Sequence, residues 1–270
     1  IRAEGTSAET DVYQVSEIPE RINRGDLRFC KIEEGSNHRM AGIPFMITSL
    51  QEDGSDAEDG ESHILVTDEN GYTSTSGADI AHSYMTNVND DAWDGSSVDA
   101  DRLDASAGIW FGEKAALNDE RGALPYGRYR IDELPCRNNE GYKLLKGIEI
   151  KVSRDSSLIE LGTLTNSKVK LKTSVWDSEL NREHVTLPRK AVTLTDRVEY
   201  QGLEKGEKYT LEGVLMDKST GRELLVNGRK VTSTKEFTAE AENGKIDVEF
   251  TFDASAFKDC SIVVFETLVK

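Results

Sequence analysis

The sequence predicts an all-β protein made of two tandem β-sandwich domains, the first with a long acidic insertion. Short segments of alternating apolar and polar residues, typical of half-buried strands, recur along the chain and end at turn signals such as Glu69-Asn70-Gly71. Nothing in the second half of the chain shows the periodicity of an amphipathic helix. A shift in composition after Asn166 begins a second series of strands and marks the expected domain boundary.

The first domain is expected over residues 25–167, after a polar lead-in or linker at residues 1–24. Its strands are predicted at Asp26–Ile32, Met40–Ser49, Ser62–Asp68, Gly127–Glu133, Ile148–Val152 and Leu158–Thr165. Between about 81 and 122 the alternation stops, and the sequence becomes rich in aspartate, glycine and serine. An insertion of this size without regular periodicity is unusual inside a compact domain and is often functional.

The second domain is expected over residues 168–270. Its strands are predicted at Lys168–Val175, Ala191–Leu194, Arg197–Tyr200, Lys208–Met216, Lys230–Thr238, Ile246–Phe252 and Ser261–Leu268. The sequence stops shortly after the last of these, and it begins without a basic segment followed by an apolar block. We therefore expect a fragment of a longer secreted protein whose signal is already absent.

The charge balance excludes two classes of partner. Acidic residues outnumber basic ones by 50 to 33, and the formal net charge is −17. Binding to nucleic acid or to an anionic membrane surface requires clustered Lys and Arg, so both are unfavourable. No apolar run approaches the ~18–20 residues that a membrane-spanning helix requires. We expect a solvent-facing monomer.

Lys31 is the most unusual residue of the first predicted strand. Alternation places Leu27, Phe29 and Lys31 on one face, and Phe29 has to face the core. A lone buried ammonium group is strongly unfavourable, so burial favours the neutral amine. A neutral amine in an apolar core is a nucleophile.

Glu133 and Asn166 are the residues that we expect to meet Lys31. Glu133 shares a strand face with Ile131, and burial there favours a protonated carboxyl group. Asn166 shares a face with Leu164 in the last strand of the domain. If the acid polarises the amide while the amine attacks, a Lys–Asn isopeptide bond forms and ammonia leaves. The alternatives are a snorkelling lysine, a buried Lys31–Glu133 ion pair, or aligned groups that do not react.

Four segments of the first domain carry a family resemblance: GDLRFCKIEE, MAGIPFMITS, GRYRIDEL followed by EGY, and IELGTLTN. They resemble the prealbumin-like (CnaB-type, SpaA-like) domains of Gram-positive surface proteins and pilins. In that family a first-strand lysine bonds to an asparagine or aspartate near the last strand, and a glutamate in a Tyr-x-Leu/Ile-x-Glu pattern shuttles protons. The resemblance implies these roles for Lys31, Asn166 and Glu133.

Two long segments of the second domain, LTDRVEYQGLEKGEKYTLEGVLMDKSTG and VEFTFDASAFKDCSIVVFETL, carry a second resemblance. From about Val169 onward the chain resembles the VaFE repeat, or Thr–Gln ester-bond domain, found in tandem along bacterial surface adhesin stalks. In that family a first-strand threonine attacks the side-chain amide of a glutamine, assisted by buried acids and a histidine. The resemblance implies that Thr173 is the nucleophile and that Asp196 and Glu266 are the assisting acids.

The acceptor of this second reaction is not found in the sequence. The family's histidine and glutamine lie on a strand after the Val-Phe-Glu segment, and this chain has neither there. We therefore expect the second domain to be truncated before its last strand. Thr173 shares a face with Leu171 and Val175, so we expect it to point inward. The alternative is an ordinary strand threonine.

The insertion contains a candidate calcium site. Asp90, Asp94 and Asp101 follow an EF-hand-like spacing, although Ala92 occupies the third position and no flanking helices are evident. Calcium is the one cofactor that the sequence suggests, and a solvated acidic loop is the alternative.

The three cysteines show no metal-ligand spacing. Cys30 and Cys136 are candidates for a disulfide if Lys31 and Glu133 meet, with two free thiols as the alternative. Cys260 is expected to pack as a small apolar residue.

Taken together, these features predict a stalk segment of a secreted, wall-anchored adhesin on a Gram-positive type bacterium. Its role is expected to be mechanical, with neighbouring domains of the same protein as partners and only autocatalytic, intramolecular chemistry. The alternative is a ligand-binding module that contacts a host protein or glycan through residues 81–122. No Ser/His/Asp order supports an enzyme acting on external substrates.

Overall fold

A computed structural model describes residues 22–79, 86–114, 121–183 and 186–270. The predicted lead-in lies almost entirely outside these residues. Within them, regular structure consists of β-strands and short 3-10 turns, which confirms the prediction of an all-β chain. The strands form two β-sandwiches that follow one another along the sequence. None of the described residues forms a helix long and apolar enough to cross a membrane.

The first sandwich contains eight strands among the described residues: β1 (Arg24–Glu33), β2 (Pro44–Leu50), β3 (Ser62–Val66), β4 (Tyr72–Ser74), β5 (Leu124–Pro125), β6 (Gly127–Glu133), β7 (Ile148–Val152) and β8 (Ser157–Asn166). In one sheet β1 pairs antiparallel with β4 and β5 and in parallel with β8. The facing sheet has the antiparallel order β3-β2-β6-β7. Leu27, Phe29, Phe45 and Ile131 are among the apolar residues buried between the two sheets.

The insertion packs on the other face of the β3-β2-β6-β7 sheet. Along β3, Leu65 belongs to the core between the sheets, whereas Ile64 and Val66 point the opposite way. They form a separate small core with Ala92 and Val98 of the insertion. The described part of the insertion is therefore anchored by apolar burial.

The second sandwich contains ten strands among the described residues: β9 (Lys170–Asp177), β10 (Arg182–Glu183), β11 (Val192–Gln201), β12 (Lys208–Asp217), β13 (Arg222–Glu223), β14 (Leu225–Val226), β15 (Arg229–Lys230), β16 (Thr232–Thr238), β17 (Asn243–Phe252) and β18 (Ile262–Val269). One sheet has the order β10-β9-β11-β17, and β14 and β15 form a separate two-stranded sheet. In the facing sheet β12 lies between β16 and β18, and the short strand β13 pairs with the last two residues of β12.

One prediction in the second domain was wrong. Ala191–Leu194 and Arg197–Tyr200 are parts of the single strand β11, which pairs with β9 and β17 without a break. The polar pair Thr195-Asp196 resembles a turn in the sequence, but both residues are buried in the sheet. A buried aspartate in mid-strand is unusual, because a carboxylate is normally kept in contact with water.

Candidate functional site

The first candidate site lies where β1, β6 and β8 meet inside the first sandwich. Lys31 comes from β1, Glu133 from the end of β6 and Asn166 from the end of β8. All three side chains are fully buried, with 0% of their surface exposed. The chain thus brings together the three residues that the sequence singles out for isopeptide chemistry.

A β-bulge turns Asn166 toward the core. The register pairs Arg28 with Glu160 but Cys30 with Thr163, so β8 carries one extra residue at this point. Gly162 lies in the bulge at φ 68°, a left-handed conformation that glycine adopts without strain. Because an extra residue reverses the alternation of side chains beyond it, Asn166 faces inward.

The polar atoms of the three residues lie within hydrogen-bonding distance of one another. Lys31 Nζ is 2.5 Å from Asn166 Oδ1 and 3.2 Å from Glu133 Oε2. Asn166 Nδ2 donates to Glu133 Oε1 at 2.6 Å. The amine therefore lies beside the amide carbonyl, and the acid contacts both the amine and the amide nitrogen.

Burial controls the charge of the amine. Desolvation lowers the pKa of Lys31, while the charge of Glu133 and its hydrogen bond oppose that decrease. The ring of Phe45 lies 5.8 Å from Nζ and forms part of the apolar surroundings. An amine with a lowered pKa gives up its proton more readily, and the neutral form is the nucleophile.

Two groups that the sequence did not single out also bind Glu133. The side-chain amide of Asn139 donates to Oε1 at 2.9 Å, and the backbone N–H of Leu145 donates to Oε2 at 3.2 Å. Both follow β6 in the chain, in a segment that includes a short 3-10 turn at Arg137–Asn139. This segment has no strand periodicity, so its contacts with Glu133 could not be predicted from the sequence.

The second candidate site is a pair of carboxyl groups inside the second sandwich. Asp196 lies on β11, and Glu266 lies on β18 of the facing sheet. Glu266 pairs with Gly213 of β12, where a Cβ atom would lie 2.6 Å from the Glu266 carboxylate. A glycine is therefore required beneath the carboxyl group of Glu266.

The pKa values of Asp196 and Glu266 are both raised, which favours their protonated forms. Burial raises the pKa of Glu266 to about 7, and the charge of Asp196 adds to the shift. Burial also raises the pKa of Asp196, although hydrogen bonding with Glu266 and the Thr173 hydroxyl opposes the rise. Neither carboxyl group has a partner of normal hydrogen-bond geometry in the described chain. Two ionised carboxylates cannot donate to each other, so a proton on either one turns their contact into a hydrogen bond.

Thr173 is more exposed than its strand pattern predicts. Its neighbours Leu171 and Val175 pack against the second core, and hydrogen bonding by the Thr173 hydroxyl opposes the rise that burial causes in the pKa of Asp196. The residue is nevertheless exposed to solvent. Within the described residues, β18 and the part of β9 around Thr173 each pair with a strand on one side only, which leaves this edge open.

The calcium candidates do not converge. Asp90 accepts from the backbone N–H of Ile64 and contacts His63 Nδ1, each at 2.8 Å. Asp94 accepts from its own turn, and Asp101 forms an ion pair with Arg137 at 2.8 Å. In the described residues no group of three or more potential ligands could hold a metal ion. The EF-hand-like spacing was misleading because each carboxylate binds a separate part of the protein.

The cysteine pair is not bonded in the structure. Cys30 and Cys136 are both free, buried thiols. Cys136 packs in the small core beneath the insertion, whereas the sulfur of Cys30 contacts the Arg39 guanidinium. The candidate disulfide between Cys30 and Cys136 is not formed in the structure, because the two side chains pack against different parts of the domain. Cys260 is half-buried at the edge of the second core.

The aromatic residues of the insertion are mostly internal. Trp110 and Phe111 are buried in the first core, and the Arg24 guanidinium lies 3.8 Å from the centroid of Trp110. Trp93 is half-buried in the small core with Val98. Among the described aromatic residues of the insertion, Trp110 and Phe111 therefore serve packing, and Trp93 is partly exposed.

Each of the two tandem β-sandwiches therefore places a lysine or threonine side chain near carboxyl groups: Lys31 beside Glu133, and Thr173 near Asp196. Residues 169–270 match the family model of the T-Q ester bond containing domain. The second domain is similar to that family over these residues.

Among solved structures, several pilins are similar to most of the chain. The full-length major pilin SpaD from Corynebacterium diphtheriae is 13% identical, with 86% of this chain and 57% of that chain covered and a TM-score of 0.40. The RrgB pilus protein from Streptococcus pneumoniae is 9% identical, with 92% and 48% covered and a TM-score of 0.39. The chain thus spans about half the length of these pilins. No curated protein matched the chain.

Proposed function

We propose that the first domain forms an isopeptide bond between Lys31 and Asn166, with Glu133 as the proton shuttle. The observation that carries this proposal is the fully buried contact of amine, amide and acid, with Nζ 2.5 Å from Asn166 Oδ1. The resemblance to prealbumin-like surface domains assigns the same three residues. A buried ion pair alone would not require a carboxamide in contact with both partners.

The reaction follows from the positions of the atoms. The Lys31 ammonium group first gives one proton to the Glu133 carboxylate, which then holds it on Oε1. The freed electron pair of Nζ attacks Asn166 Cγ while Oε2, 3.2 Å from Nζ, takes a second proton from that nitrogen. The bond from Cγ to Nδ2 breaks as Nδ2 takes the proton held on Oε1, which lies 2.6 Å away. In total Nζ loses two protons: one leaves with ammonia, and one remains on Glu133. An ion pair is thereby replaced by a neutral amide and a neutral acid.

Preorganisation accounts for most of the expected rate. Lys31 and Asn166 lie on adjacent parallel strands, so folding has already met the entropic cost of bringing amine and amide together. The apolar surroundings keep water from solvating the amine, and the contact of Glu133 with both nitrogens supplies general acid–base help. The reaction occurs once per chain.

The family match of the second domain supports a second cross-link in the full-length protein. There Thr173 would be the nucleophile of a Thr–Gln ester, with Asp196 and Glu266 as the assisting acids. The acceptor glutamine would lie on a strand that follows β18. The open edge beside β9 and β18 offers room for such a strand.

We assign the chain to the stalk of an extracellular, wall-anchored adhesin of a Gram-positive type bacterium. Covalent braces across β-sandwiches resist force and proteolysis, and the net charge of −17 suits a solvent-facing shaft. The neighbouring domains of the same protein are its expected partners. Binding of a host protein or glycan through residues 81–122 is less favoured, because Trp110 and Phe111 are buried.

Peptide mapping tests the proposal. Digestion of the unfolded protein should yield a branched peptide that joins the segment around Lys31 to the segment around Asn166. Fragmentation should place the link between those two side chains. A Lys31→Arg variant, which keeps a cation but lacks the amine, should give the two linear peptides instead. Recovery of only linear peptides from the wild type would contradict the proposal.

A further inference from the structure

We infer that Asn139 is a positioning residue for the isopeptide reaction, and this inference rests on the function proposed above. Asn139 belongs to the turn that follows β6 and acts through Glu133 rather than on the amine. Its side chain fixes the Glu133 carboxyl group so that one oxygen faces the leaving nitrogen of Asn166 and the other faces Lys31.

Asn139 is built into the site more firmly than an ordinary turn residue. Only 2% of its surface is exposed. Its Nδ2 donates to Glu133 Oε1 and to the backbone carbonyl of Leu134, both at 2.9 Å. Its Oδ1 accepts from the backbone N–H of Cys136 at 2.8 Å. Both amide hydrogens and the carbonyl oxygen are therefore used, and the orientation of the carboxamide is fixed.

Asn139 and the backbone N–H of Leu145 each hold one oxygen of Glu133, and the two oxygens face different reacting groups. Oε1 accepts from Asn139 and from Asn166, the latter at 2.6 Å. Oε2 accepts from the backbone N–H of Leu145 and lies 3.2 Å from Lys31 Nζ. Each oxygen thus has one donor from the segment after β6 and one reacting group. Rotation of the carboxyl group would break both anchoring bonds at once.

This arrangement matches the proton transfers that the reaction needs. Oε2 takes a proton from Nζ while Oε1 gives the proton that it already holds to Nδ2, so ammonia leaves without rotation of the carboxyl group. A carboxyl group can serve both nitrogens only if its plane is held between them, and geometric errors of about 1 Å can cost on the order of 10²-fold in rate. Loss of the Asn139 donor should therefore slow bond formation without removing any reacting atom.

A pulse of synthesis followed by intact-mass measurement at successive times tests the inference on the full chain. In the wild type the mass should fall by about 17 Da as ammonia leaves, and in Asn139→Ala the same loss should be at least about tenfold slower. Asn138→Ala is the matched control, because Asn138 lies in the same turn but donates to the carbonyl of Gly42. It should react at the wild-type rate.

Asn139→Asp separates positioning from mere structural support. An ionised aspartate in place of Asn139 cannot donate to Glu133, whereas a protonated one can. The ratio of the variant's rate to the wild-type rate should therefore rise as the pH falls from about 8 to about 5. This variant also keeps the test decisive if Asn139→Ala does not fold, which circular dichroism would show.

The outcomes separate the inference from the proposed function. If the wild type loses ammonia and Asn139→Ala does so equally fast, the positioning role is wrong and the isopeptide proposal stands. The same conclusion follows if Asn139→Asp keeps a pH-independent rate ratio to the wild type. If the wild type itself never loses mass, the isopeptide proposal fails and this inference fails with it.

Discussion

Lys31 Nζ lies 2.5 Å from Asn166 Oδ1, although 135 positions separate the two residues in the chain. The parallel pairing of β1 with β8 joins the start of the first domain to its end. A covalent bond at this contact would close a loop that contains nearly the whole domain. Such a bond would restrict the unfolded chain in the way that a disulfide does, without depending on redox conditions.

Glu133→Gln should prevent the bond and lower the free energy of unfolding. The change is nearly isosteric, so packing is preserved, but the amide cannot shuttle protons. Cross-linking a loop of this length contributes roughly 3–5 kcal/mol through the entropy of the unfolded chain. Chemical denaturation followed by tryptophan fluorescence should show a loss of that order.

The matched control for this change is Glu140→Gln, because Glu140 is exposed and lies close by in the chain. It should unfold at the wild-type denaturant concentration. Equal stability of Glu133→Gln and the wild type would mean that no cross-link contributes to the fold.

The acid pair in the second domain predicts a decline in stability with rising pH. The pKa of Glu266 is raised from 4.5 to about 7 in the folded protein, chiefly by burial. A raised carboxyl pKa means that the folded state binds more protons than the unfolded state between these values. Its stabilising contribution is therefore complete below about pH 4.5 and is lost as the pH rises through about 7.

Glu266→Gln isolates this contribution. Between about pH 5 and pH 7.5 the wild type should lose on the order of 2 kcal/mol relative to the variant, as measured by urea unfolding. Glu249→Gln, at an exposed position of β17, should keep the wild-type pH dependence. A parallel pH dependence of Glu266→Gln and the wild type would refute the assignment of the proton to this pair.

Asp90 should matter for stability although its neighbour Asp91 should not. Asp90 accepts a hydrogen bond from the backbone of Ile64 and contacts His63, so it ties the insertion to β3. Removing it leaves a backbone donor without its partner, which costs about 1–3 kcal/mol. Thermal unfolding of Asp90→Ala should show a lower midpoint than that of the wild type.

Asp91→Ala provides the comparison, because Asp91 is exposed. Its effect should stay within about 0.5 kcal/mol, as for most surface substitutions. If the two variants had equal midpoints, the insertion would not be held through Asp90.

Much of the fold could be predicted from the local alternation of apolar and polar residues. The bounds of β6 and β7 agree with the prediction, because their alternation of side chains is regular and turns flank them. The inward position of Lys31 followed from its place two residues after Phe29. Asn166 was also expected on an inner face, although it reaches that face through a bulge at Gly162 that alternation alone does not describe.

The rest depended on contacts between distant segments. Asn139 binds Glu133 from an irregular turn, and a turn has no period from which orientation can be read. Asp196 separated two predicted strands because a polar residue suggests a turn, whereas in the structure it is buried and interacts with Glu266, far away in the sequence. The spacing of Asp90, Asp94 and Asp101 suggested a single loop around an ion, but packing of the insertion directs each carboxylate to a different partner.

The most direct test of the central claim is the intact mass of the purified, denatured protein. The wild type should lie about 17 Da below the mass of its sequence, because one ammonia leaves when Lys31 and Asn166 condense. Lys31→Met should lie at its full sequence mass, and Asn166→Asp should lose about 18 Da, since a carboxyl acceptor releases water instead. A wild-type protein at its full sequence mass would contradict the account.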